Sequence, residues 1–183
     1  AMSHIGVAKD VCAYLSHHSR KTAKVKLPFV NAFKPANNSS PVKVVIENTD
    51  ACQRYSGVVI KGVTVSESPA WLKNRLKSIG LRPINNIVDM TNFVLHECGQ
   101  PLHAFDLNAI QGNKIVVKTV AEGTKFITLD EKERVLSSED LMICNADEPM
   151  CIAGVFGGAK SGVSEQTTSI FLESAWFENN SIR

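Results

Sequence analysis

The nine-residue run Ser169-Ile170-Phe171-Leu172-Glu173-Ser174-Ala175-Trp176-Phe177 constrains the fold more than any other stretch. Read with a period of two, it places Phe171, Glu173 and Ala175 on one face and Ile170, Leu172, Ser174 and Trp176 on the other. Both faces are largely apolar, so the strand is expected to be buried, and Glu173 with it. A carboxylate in such surroundings is costly unless it finds donors. Glu173 therefore either has an internal partner, such as Arg82, or awaits a donor carried by a ligand.

The rest of the chain supplies both helices and strands to enclose such an element. Residues 3 to 18 read as a helix with Ser3 as N-cap and an apolar stripe of Ile5, Ala8, Val11, Cys12 and Leu15. The basic, polar stretch from Ser19 to Pro41 reads as a linker. Val42 to Glu47 and Tyr55 to Val65 are β-rich, and Ser68-Pro69 opens a helix that Gly80 closes. Asn85 or Asn86 caps a second helix that ends at Gly99. Strands are expected at Ile115 to Val120, Phe126 to Leu129, Arg134 to Leu136, Leu141 to Asn145, Met150 to Phe156 and Ser169 to Trp176, with residues 129 to 132 forming a hairpin turn. Asn179 or Asn180 would cap a helix starting at Ser181. Short connections between strands imply several antiparallel pairs in a mixed α/β (α+β) fold.

The helix from Asn86 carries Asp89, Thr91, Asn92 and His96 among its apolar positions. By residue chemistry alone, Thr91 back-bonds to its own helix, Asn92 caps a neighbouring loop and Asp89 holds a nearby loop N–H. His103 follows on a Pro-containing connection, with Phe105 as a ring to bury against. In that stiff, partly apolar setting it is neutral near pH 7 and able to take or give one proton. The glycine-rich run Ala153 to Gly162 lacks the ending of a nucleotide P-loop and the spacing of a dinucleotide fingerprint. Its glycines instead let the backbone pass close to a ligand or a packed strand.

Other chemistries find little support. There is no Gly-x-Ser-x-Gly elbow, no His-Glu-x-x-His and no cysteine with a local histidine partner. Five cysteines without paired metal spacing read as reduced thiols in a cytoplasmic protein with no bound metal. A net charge of +2 gives no strong field, which argues against a platform gripping nucleic acid tightly but not against a site that receives only an RNA end. No apolar run reaches the roughly 20 residues of a membrane span. The leading Ala1-Met2 reads as an added scar on an excised piece.

Several long strings resemble the β subunit of bacterial phenylalanyl-tRNA synthetase: residues 80–94 (GLRPINNIVDMTNFV), 99–106 (GQPLHAFD), 153–158 (AGVFGG) and 172–175 (LESA). Residues 3–8 resemble the segment just before that subunit's editing region. The resemblance implies a three-layer arrangement of mixed β-sheets with helices. Residues 1 to 40 would then be a helix and linker from the preceding region, and residues 41 to 183 an editing domain truncated at its C-terminal end. The family completes its pocket with a Thr-x-Ala stretch beyond the position of Arg183.

The implied activity is hydrolysis of the ester that joins tyrosine wrongly to the phenylalanine tRNA. Glu173 corresponds to the acid that reads the tyrosine hydroxyl, with the backbone of Gly154 beside it and Ala153 as a pocket wall. His103, Thr91 and Asn92 correspond to residues around the ester and the attacking water, at the opposite end from Glu173. The implied partners are the acceptor end of that tRNA and a synthetase α subunit in an α2β2 assembly. No cofactor is implied for hydrolysis, although the whole synthetase uses ATP and Mg. The competing expectation is a non-catalytic structural module that contacts tRNA.

Overall fold

The structure is a computed structural model that describes residues 2–19, 21–28 and 32–182. Among the described residues, four α-helices and ten strands follow in the order α1 (Ser3–Ser19), β1 (Lys43–Ile46), β2 (Cys52–Lys61), α2 (Ala70–Ser78), α3 (Asn86–Cys98), β3 (His103–Asp106), β4 (Lys114–Thr119), β5 (Lys125–Ile127), β6 (Glu133–Val135), β7 (Leu141–Cys144), β8 (Pro149–Ile152), β9 (Phe156–Gly157), β10 (Ser169–Phe177) and α4 (Asn179–Ile182). The strands form a five-stranded sheet ordered β1-β4-β7-β8-β9, a three-stranded sheet ordered β2-β10-β3, and the β5-β6 hairpin. Only β1 and β4 run parallel among the described pairs.

The two sheets pack face to face around a core of Cys52, Phe105, Ile115, Val117, Ile143, Cys151 and Phe171. On the far side of the three-stranded sheet, Ala104, Ile170 and Leu172 meet Ile87 of α3 and Val63, Val65 and Val163. The far side of the five-stranded sheet carries Val116, Met142 and Cys144 under Phe126 of the hairpin. A helical layer, a middle sheet and a second sheet therefore stack in that order, the mixed α/β three-layer fold that the resemblance implies.

The run from Ser169 is the central strand of the middle sheet, paired with β2 on one side and β3 on the other. This explains its two apolar faces: one meets the second sheet and the other meets α3. The burial fades toward its end, where Trp176 is 60% exposed.

Several local expectations change. Asn85 caps α3 through its side-chain oxygen, which accepts from the N–H groups of Ile87 and Val88. Asn86 instead accepts from the Ser66 N–H and donates to the Thr64 carbonyl, tying the segment after β2 to the helix. The Ser68 hydroxyl does not cap α2; it donates to Asp89. Met150 to Phe156 is not one strand. A turn closed by the Val155 N–H on the Ile152 carbonyl interrupts it, with Gly154 at a left-handed φ of 68° that side-chain-bearing residues avoid. The last helix begins at Asn179, and the Glu178 carboxylate rather than an asparagine accepts from its free N–H groups.

In α1, Ser3 Oγ accepts from the Gly6 N–H. The stripe is only half-covered: Ile5, Ala8 and Cys12 are partly buried, while Val11 and Leu15 are 50% and 45% exposed. Residues 21–28 and 32–42 contain no helix or strand, and the remainder of the expected linker (Arg20, Phe29, Val30 and Asn31) lies outside the described residues.

Candidate functional site

The antiparallel register of β10 places Glu173 opposite Gly57 on β2 and opposite His103 on β3. Residues directly opposite in such a pair project to the same side. The face toward the second sheet thus carries Tyr55, Gly57 and Val59 on β2, Ala175, Glu173 and Phe171 on β10, and His103 and Phe105 on β3. Gly57 leaves a gap that Phe171 fills, since a Cβ there would lie 2.0 Å from Phe171 Cζ. The phenylalanine ring lies nearly parallel to that of Tyr55, with centroids 6.5 Å apart.

Glu173 is 5% exposed. Its partner is not Arg82, whose side chain is exposed, but Tyr55, whose hydroxyl donates to Glu173 Oε2 at 2.8 Å. Burial raises the Glu173 carboxyl to about 7, and the Tyr55 hydrogen bond partly opposes that rise. Burial, the Glu173 charge and this bond hold the Tyr55 hydroxyl far above its ordinary range, so it stays a donor. The nearby thiols of Cys52 and Cys151 are also pushed up, Cys52 to about 11, chiefly by burial. They are protonated and inert at neutral pH.

His103 opens β3 rather than lying on a loop: Pro101 and Leu102 lead directly into the sheet. Its ring sits 4.4 Å from that of Phe105, steeply inclined at 67°. The backbone of Gly157 closes against it, where a Cβ would come within 2.9 Å of His103 Cε1. Burial lowers the imidazole to about 4, so it is neutral at pH 7. Its Nε2 is the one buried side-chain polar atom among the described residues that lacks a hydrogen-bond partner. A neutral imidazole with an unpaired nitrogen can orient a water or accept its proton.

Both residues line one cavity of about 650 Å³, together with Cys151, Gly154, Gly157 and Phe177. The predicted positions divide accordingly. Glu173, His103 and Gly154 share this cavity. Ala153 is not a wall; it is fully buried in the core between the sheets, one residue before the turn. Thr91 and Asn92 are likewise outside the walls. Thr91 Oγ1 donates to the Val88 carbonyl of its own helix at 2.8 Å. Glu173 and His103 are adjacent across one strand pair rather than at opposite ends of a pocket.

Sequence reasoning passed over Tyr55 and Gly57, whereas Gly157 belongs to the glycine-rich run expected to let the backbone pass close to a ligand or a packed strand. The signal for the first two was a tyrosine two positions before a glycine inside an otherwise β-rich run. Among the described residues no group of three or more His, Cys, Asp or Glu side chains could hold a metal ion. The five cysteines are free, and no described helix is long and apolar enough to cross a membrane.

The middle sheet thus carries a half-paired buried acid and a neutral histidine, both open to one cavity. Residues 51–183 match the sequence model of the B3/4 domain, and the chain belongs to that family. It is similar over its whole length to phenylalanine–tRNA ligase beta subunits: 56% identical over 183 residues to that of Bacteroides thetaiotaomicron and 57% over 184 residues to that of Porphyromonas gingivalis. It spans 22% of each of these relatives. An N-terminal fragment of the phenylalanyl-tRNA synthetase beta subunit from Pyrococcus horikoshii shares the fold, with a TM-score of 0.58 and 13% identity over 81% of this chain and 47% of that one.

Proposed function

We propose that this region hydrolyses the ester bond of a mischarged aminoacyl-tRNA, removing tyrosine from the phenylalanine tRNA within a phenylalanine–tRNA ligase. The observation that carries this reading is the pairing of Glu173 and His103 across β10 and β3 at the wall of one cavity. Tyrosine differs from phenylalanine by one hydroxyl, which an apolar synthetic pocket rejects only about a hundredfold. A second site with a buried acceptor reverses that preference. Tyrosine supplies a donor to Glu173, whereas phenylalanine would leave a desolvated carboxylate oxygen unpaired; hydroxyl-reading sites of this kind discriminate by about 10⁴ to 10⁵.

The ester is already activated, so hydrolysis needs a held water and modest polarisation rather than a strong nucleophile. His103 Nε2, neutral and unpartnered, takes the water-holding role. Gly154 contributes backbone to the same cavity. Thr91 and Asn92 contribute indirectly, through the helix that covers the middle sheet, and Ala153 by filling the core under the turn. The partners of this reading are the acceptor end of the tRNA and an α subunit in a cytoplasmic α2β2 ligase. ATP and Mg serve synthesis elsewhere in that assembly, and this region performs no synthesis.

The test is deacylation of Tyr-tRNA by the intact ligase carrying Glu173→Gln or His103→Ala. Each is expected to slow hydrolysis at least tenfold while phenylalanine charging continues. Undiminished hydrolysis in both variants would refute the assignment.

A further inference from the structure

The Glu173 carboxylate has two oxygens and, among the described residues, one donor. We infer that Tyr55 is a positioning residue for the editing reaction: its hydroxyl holds Oε2, so that Glu173 offers only Oε1, in a fixed direction, to a substrate hydroxyl. This rests on the reading of the site proposed above and goes beyond it by naming what orients the acid.

The geometry around Tyr55 is built rather than incidental. Its ring is held by the near-parallel Phe171 ring, which itself occupies the gap over Gly57. The β2–β10 register sets Tyr55 opposite Ala175, one step diagonally from Glu173 on the same face, within reach of a long aromatic side chain. The 2.8 Å bond is a charge-assisted one whenever Glu173 is ionised.

The other groups near Glu173 do not hold it as Tyr55 does. From β2 and β8 come the thiols of Cys52 and Cys151, whose protons already go to the Arg54 and Ile152 carbonyls. From β3 comes His103, which burial keeps neutral. No Lys or Arg is hydrogen-bonded or ion-paired to Glu173 among the described residues. With Tyr55 gone, both oxygens are unheld and free to turn toward His103, which stands opposite Glu173 across the strand pair. That pairing would take the acid from the substrate hydroxyl and the imidazole from the water together.

Tyr55→Phe in the intact ligase keeps the ring and deletes only the donor. It is expected to lower kcat/KM for Tyr-tRNA hydrolysis about tenfold, which corresponds to roughly 1.4 kcal/mol. Because that bond favours the ionised acid, the acid limb of the pH–rate profile should also move to higher pH. Phenylalanine charging should stay near wild type, and losing the donor to a buried carboxylate should lower the melting temperature only modestly. If the variant does not fold, 3-fluorotyrosine at position 55 keeps the ring and strengthens the donor, and the limb should move to lower pH instead. Unchanged hydrolysis and an unmoved limb in Tyr55→Phe, alongside lost hydrolysis in Glu173→Gln, would overturn the inference and leave the site assignment standing. Undiminished hydrolysis in Glu173→Gln would remove the site assignment and this inference with it.

Discussion

The middle sheet has a buried carboxylate on each side, and the two are handled in opposite ways. Asp89, on the helical side, is fully buried and has both oxygens occupied: Oδ2 accepts from the Ser68 hydroxyl at 2.5 Å and Oδ1 from the Ile84 N–H at 2.9 Å. Those bonds pin the start of α2 and the approach to α3 to one another. Glu173, on the side of the second sheet, has one protein donor, a cavity against it and an unpaired histidine nitrogen beside it. An acid with every oxygen engaged is a structural joint, whereas an acid left half-engaged at a cavity still has an oxygen to offer.

The contrast breaks most easily at Asp89. Asp89→Ala strands the Ser68 hydroxyl and the Ile84 N–H in a dry interior and should cost about 3 to 4 kcal/mol in denaturant unfolding. A loss below about 1 kcal/mol would show that the joint is not structural. Glu173→Gln should behave the other way. Because the folded state holds the Glu173 carboxyl at about 7 against 4.5, wild type loses stability as pH rises through that window. The full effect, at most about 3 kcal/mol, is present above pH 7. The variant lacks this loss, so wild type minus variant should slope downward from pH 4.5 to 7. A flat difference would mean that Glu173 is solvated. His103 titrates in the opposite sense: its imidazole is lowered from 6.5 to about 4, so its contribution grows as pH rises from 4 to 6.5. Only the difference between variants isolates either group.

Legibility in the sequence followed the range of the interactions. The helix from Asn86 to Gly99, the burial of Glu173 and the hydrogen bond from a loop N–H to Asp89 depend on near neighbours or on strand periodicity, and all could be read. The partner of Glu173 could not, because Tyr55 is 118 residues away and reaches it only through the β2–β10 register. His103 was legible as a neutral histidine packed on Phe105, but its place opposite Glu173 also depends on register. The break in Met150 to Phe156 was hidden because an apolar run outweighed the single residue, Gly154, that turns the chain. Thr91 shows the reverse case. Its bond to the Val88 carbonyl is what helical spacing alone suggests.

A smaller effect sharpens the comparison at Gly157. An added Cβ would meet His103 Cε1 at 2.9 Å and Leu129 Cδ1 at 2.8 Å. Leu129 is 50% exposed and can move, but the imidazole is held between Gly157 and Phe105. Gly157→Ala should therefore cost only about 1 kcal/mol in stability while shifting the His103 ring, visible as a changed Hε1 resonance and slower Tyr-tRNA hydrolysis. A stability loss with an unmoved resonance would place the strain on Leu129 instead.

The weakest expected effect lies at a second cavity, of about 320 Å³, between the β5-β6 hairpin and β8. It is the more hydrophobic in its deep walls, Phe126 and Met150, and two ion pairs stand at its rim, Lys125–Glu133 and Lys160–Glu148. What it lacks is what marks the other cavity. Its buried polar side chains are already satisfied: Asn145 donates to the Ala109 carbonyl and accepts from the Asp147 and Glu148 N–H groups, and Ser161 donates to the Met150 carbonyl. The Lys160 and Glu148 side chains are 77% and 47% exposed, so water screens their 2.9 Å pair. Lys160→Met should change unfolding free energy by less than about 0.5 kcal/mol and leave Tyr-tRNA hydrolysis as it is. Loss of hydrolysis in that variant would mean that unpaired buried groups are the wrong criterion for locating the site, and that concavity with rim charge matters more.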